Sequence, residues 1–125
     1  MLHTEFLPET NELFVSFEGT DTTIFVDKAI YPNGDQIIAI IRDINYRDSS
    51  LRNLVLIKGL VWQLRELLRT HLNRFGSRDP DYQELEDHFK QISMANYFLF
   101  LGIQVESGNV KALQEYFENP FLGMN

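Results

Sequence analysis

The densest grouping of side chains able to bind a cation or move a proton lies at residues 79–88, where Asp79, Asp81, Glu84, Glu86 and Asp87 crowd around His88. On a helix Glu84, Asp87, His88 and Gln91 recur at three- and four-residue spacing and share a face, which can seat a metal ion with carboxylate and imidazole donors. A metal-assisted hydrolase centred on Glu84, Asp87 and His88 is therefore one reading. Holding a catalytic cation usually takes carboxylates from a second, facing helix, and the preceding helical stretch offers only Glu66. Acids in the first turns of a helix also complement its positive end without any ligand. The expectation is a solvated acidic face with His88 exposed, no catalytic set, no metal and no cofactor.

A second grouping is basic. Arg65 and Arg69 stand four apart, Lys58 lies two turns before Arg65, and Arg74 and Arg78 follow. Such a row can grip phosphate or carboxylate through paired N–H donors, so a binder of a small anionic ligand such as a nucleotide, using Lys58, Arg65 and Arg69, is the second reading. Against it stands pairing within the chain: in a hairpin turning at Gly76, Arg69, Arg74 and Arg78 come near Asp79, Asp81 and Glu84. His71 falls on the apolar side of the same helix, where a histidine hydrogen-bonded at the margin of the core is expected. No Gly-x-Ser-x-Gly turn, His-Glu-x-x-His pair or phosphate-binding glycine loop occurs, and the chain has no cysteine, which removes the common nucleophile and phosphate-loop patterns.

The elements that would position these residues follow from hydrophobic spacing. Leu13, Val15 and Phe17 alternate with Phe14, Ser16 and Glu18, a strand over 12–18, and after a turn at Gly19 and Asp21 the alternation resumes over 22–30. Pro32-Asn33-Gly34-Asp35 is a strong turn signal, and the uninterrupted Ile37, Ile38, Ala39, Ile40, Ile41 beyond it reads as a third strand over 36–43 covered on both faces, with Ile40 in the core. Leu51, Leu54, Ile57, Val61, Leu64, Leu68, Leu72 and Phe75 then repeat at helical spacing behind the N-cap residues Asp48, Ser49 and Ser50. Val55 and Trp62 widen that stripe beyond what one neighbour covers. Asp79-Pro80-Asp81 restarts a helix that begins amphipathic and turns apolar after Ser93, and Asn109 opens a short third one, ended by Pro120.

The chain of 125 residues has an apolar fraction of 44% and an aromatic fraction of 13%, enough for one core. Its net charge of −7 disfavours nucleic acid. The charge is uneven, with eight basic and three acidic residues between Arg42 and Arg78 and acidic stretches on either side. No signal-peptide pattern or apolar run of membrane length is seen, so a cytoplasmic protein is expected.

These readings combine into an α+β fold in a single domain over 1–125. An antiparallel β-meander of three or more strands, over about 12–43, precedes two long antiparallel helices over about 50–75 and 80–105 and a short C-terminal helix over about 110–118. The favoured function is a small acidic interaction protein, an adaptor, chaperone or inhibitor of the immunity or anti-defence kind, that covers a surface on a partner protein. A homo-oligomer, most simply a dimer, is expected to cover the spare helical surface, with Val55, Trp62, Phe98 and Phe121 at its interface.

Overall fold

The computed structural model describes residues 1–108. Three strands, β1 (Leu2–Leu7), β2 (Glu12–Phe17) and β3 (Thr20–Phe25), form an antiparallel sheet in the order β1-β2-β3. Leu2 pairs with Phe17 and Leu7 with Glu12, while Glu12 pairs with Phe25 and Phe17 with Thr20. The second hairpin turns on Glu18 and Gly19, both at positive φ (50° and 83°), the tight two-residue geometry whose twist matches that of the strands. Period-two alternation puts Leu13, Val15, Phe17 and Ile24 on one fully covered face together with Thr4 and Thr22.

Helix α1 (Asp35–Asp43) follows, then α2 (Leu51–Phe75), and after a 3-10 turn at Gly76–Arg78, α3 (Tyr82–Glu106). The meander followed by two long helices is the expected architecture, but its third strand is not the expected one. Residues 36–43 form a helix, and the sheet is completed by the N-terminal Leu2–Leu7, whose Leu2, Thr4 and Phe6 alternate with polar His3 and Glu5. A short unbroken apolar run fits a buried strand and a helix equally well. Helical end effects decide here: Asp35 lies in the first turn, Arg42 in the last, and the Tyr46 hydroxyl donates to the Ile41 carbonyl at 2.6 Å. Ile38 and Ile41, three apart, point into the core, and Ile40, expected there, is 48% exposed. The preceding strand is also shorter than expected, ending at Phe25 rather than near Ile30.

The bounds of α2 are those the spacing predicts. Ser50 Oγ accepts from the Asn53 amide at 3.3 Å, and Gly76 closes the far end with its amide on the Leu72 carbonyl. Helix α3 begins two residues later than expected, because Asp79 turns its carboxylate onto the Asp81 amide at 2.8 Å and Asp81 becomes the N-cap. From Ile92 to Ile103 it is buried on nearly every side, with Phe100 as the exposed exception. At Gly102 a β-carbon would lie 2.6 Å from the Leu2 side chain, so this glycine lets β1 close onto α3. Core residues from β2, β3, α1, α2 and α3 join in one cluster, with Leu2 and Phe6 of β1 packed against it. No helix among the described residues is long and apolar enough to cross a membrane. The expected short helix over 110–118, and Phe121, lie outside the described residues.

Candidate interaction surface

The basic row on α2 forms one connected structure with Arg65 at its centre. The Arg65 side chain is 7% exposed and its guanidinium sits 5.0 Å from the Trp62 ring centroid and 4.7 Å from that of Phe89. Its Nε donates to Ser93 Oγ at 2.8 Å and its Nη1 to Glu66 Oε2 at 3.1 Å. A charge in an apolar setting is tolerable only when paired and hydrogen-bonded, and here two aromatic faces, a hydroxyl and a carboxylate supply that. Arg65 thereby ties α2 to α3.

Glu66 also receives both donors of Arg69 at 3.0 Å each, which holds the Arg69 guanidinium above its already high pKa. Lys58 Nζ lies 5.9 Å from the centroid of the same Trp62 ring. Lys58, Arg65 and Arg69 are thus brought together, but around a ring and a carboxylate the chain itself provides. Arg65 in particular is engaged inside the fold and not turned toward an outside phosphate.

Nor do the arginines meet the acidic start of α3. Arg69 pairs with Glu66, Arg74 lies over the Phe75 ring at 5.3 Å, and Arg78 donates to the carbonyls of Arg74 and Phe75, closing the last turn of α2. Asp79 is taken instead by His71, Nε2 to Oδ2 at 2.6 Å, and that bond holds the Asp79 carboxyl below its ordinary pKa. His71 is thus hydrogen-bonded at the core margin as its position in the apolar stripe suggested. Three- and four-residue spacing favours partners on the same helix, and the 3-10 turn brings Asp79 to His71 rather than to the basic row.

Glu84, Asp87 and His88 do not converge. His88 Nε2 is 3.8 Å from Glu84 Oε1, while Asp87 faces Gln83 at 3.5 Å. The His88 side chain is only 13% exposed, contrary to expectation, because its ring packs edge-on against Phe25 of β3 at 6.2 Å. Among the described residues no group of three or more His, Asp or Glu side chains is placed to hold a metal ion.

What the surface does present is apolar. Val55 (52%), Leu56 (48%) and Trp62 (42%) stand exposed on α2 around Gly59, with Leu51 a turn earlier. Phe98, expected beside Val55 and Trp62, is 2% exposed and belongs to the core, because α3 turns it toward the inside of the fold. Next to this face a shallow cleft of about 300 Å³ is lined by Ile37, Trp62, Gln63, Glu66, Leu67 and Thr70. A larger one, about 870 Å³, runs along β1 toward the loop at Ile44–Ser49. The sequence flagged Val55 and Trp62 but missed Leu56 and Gly59. The angle of Leu56 beside Gln63 on the helix was the available signal. No family model, no curated protein and no solved structure matches the chain.

Proposed function

We propose that the chain is a small acidic, non-enzymatic protein-interaction module, an adaptor, chaperone or inhibitor, whose contact face is the exposed side of α2. The observation that carries this reading is the patch of Val55, Leu56 and Trp62, three large apolar side chains about half in water on one helix whose other side is fully buried. Contiguous apolar surface with a polar margin is where soluble proteins meet other proteins, and tryptophan is the residue most often dominant in such contacts. The enclosure of Arg65 and the pairing of exposed Arg69 with Glu66 weigh against the anionic-ligand reading, and the separation of Glu84, Asp87 and His88 against the hydrolase. Self-association through the long helices belongs to the same reading.

The test compares wild-type chain and Trp62→Glu, immobilised in parallel and exposed to extract of the native host, with retained proteins quantified by mass spectrometry. Loss of one anchoring tryptophan should deplete a genuine partner by at least about tenfold while the melting temperature stays within a few degrees. Identical retention by both chains would show that this side of α2 is not the contact face.

A further inference from the structure

We propose that this face of α2 pairs with its own copy, in an antiparallel two-fold crossing centred on Gly59. The proposal rests on reading α2 as a contact face and names what covers it. A glycine inside a helix costs about 1 kcal/mol relative to alanine. It is usually kept where a side chain would collide, yet a β-carbon built at Gly59 meets nothing within 4 Å. Among the described residues, then, nothing gives this glycine a packing role within one chain. Its neighbours three and four residues away are Val55, Leu56, Trp62 and Gln63, all exposed, so the missing side chain leaves a depression walled by large groups. That is the shape a second helix fills when its backbone comes close.

The sequence around Gly59 is self-complementary in the antiparallel sense. When two copies cross at this residue, a position a given number of residues after it lies opposite the position the same number before it in the copy. Trp62 then faces Leu56, and Gln63 faces Val55. Glu66, the one acidic residue of α2, whose carboxylate already holds Arg65 and Arg69 within the chain, comes opposite Arg52, which is exposed. Thr70 comes opposite the helix start at Asp48, also exposed. Each pairing occurs twice by symmetry, the defining feature of an isologous dimer. The cleft beside Ile37 and Leu67 borders this face on the Trp62 side and can receive the copy's Leu56. Lys58 and Arg65 lie on one flank of the helix beside Trp62, so across the two-fold axis each is on the flank opposite its own copy.

The experiment uses the full chain. Sedimentation velocity across micromolar concentrations should show wild type passing from the 14.6 kDa chain to twice that mass. Gly59→Leu, which adds a side chain where the single chain has open space, should keep the melting temperature or raise it. It should also raise the dimer dissociation constant about tenfold or more, as overpacking a close contact does. Because the chain has no cysteine, Gly59→Cys places one thiol on the proposed axis, where it meets itself within disulfide reach. Mild oxidation should cross-link it much faster than Asn73→Cys on the same helix. A wild type that stays at 14.6 kDa, or a dimer in which Gly59→Cys cross-links no faster than Asn73→Cys, overturns the proposal. A monomer whose host-protein capture still depends on Trp62 would leave the contact-face reading standing and remove only the copy.

Discussion

Arg65 shows how far one residue's role depends on its surroundings. In the sequence it is one cation in a basic row. In the fold it lies between two aromatic rings with its donors on Ser93 and Glu66. The signal for burial was present, since Val61, Leu64 and Leu68 flank it on the helix and all are buried, but a guanidinium is rarely placed inside on spacing alone. Its acceptor on α3, Ser93, is 28 positions away and carries no local mark. Arg65→Ala should destabilise the chain by about 2 kcal/mol, the range for losing a buried hydrogen bond to a charged group, as read by urea denaturation. Arg65→Lys should recover little of this, because a lysine cannot lie flat between two rings while donating to Ser93 and Glu66. A loss below about 0.5 kcal/mol for alanine, the level of an ordinary surface change, would show that this guanidinium does not hold α2 to α3.

At the scale of elements, α2 and most of α3 were legible because long periodic segments with caps leave few alternatives. The β2–β3 hairpin was legible from alternation and its turn. The third strand expected over 36–43 is helix α1 and strand β1 takes its place in the sheet, an exchange that follows because an all-apolar pentapeptide carries no period and six alternating residues are a short signal. The exchange reverses one consequence. With Ile40 on the open side of α1, Ile40→Asp should melt near wild type, whereas Ile41→Asp, at 0% exposure, should unfold the chain by burying an unpaired charge. Circular dichroism melts of the two variants decide it, and unfolding of Ile40→Asp would contradict the helix. The joint between α2 and α3 has its own signature in the His71–Asp79 bond. Because the Asp79 pKa is lowered on folding, this contribution is present above the unfolded carboxylate value of about 4 and is lost as pH falls through the folded value. Asp79→Asn should therefore flatten the acid limb of stability against pH. An acid limb unchanged in Asp79→Asn would remove this bond from the account.

Across the whole molecule, the uneven charge was read correctly from the sequence, but its meaning depends on geometry the sequence does not carry. A net charge of −7 with a basic middle suggests a docking strip for anions only if the cations share open space. Here Arg65 is enclosed and Arg69 is tied to Glu66 through two donors, with Lys58 beside Trp62. For a nucleotide to bind, it would have to break the Arg69–Glu66 pair or work with Lys58 alone, and the displaced Glu66 carboxylate would then repel it. At a hundred times its dissociation constant a ligand specific to the folded state raises stability by about 2.7 kcal/mol, which for a chain of this size is a melting shift on the order of 10 °C. Thermal-shift measurements with millimolar ATP, GTP and inorganic phosphate should show no rise beyond about 1 °C, less than 0.5 kcal/mol by the same scaling. A rise near 10 °C that disappears in Arg69→Ala would establish an anion site on α2 and displace the reading of that helix as a protein contact face. If the rise survives in Arg69→Ala but vanishes in Lys58→Ala, the site would be centred on the Trp62 ring instead, and the contact-face reading would fall with it.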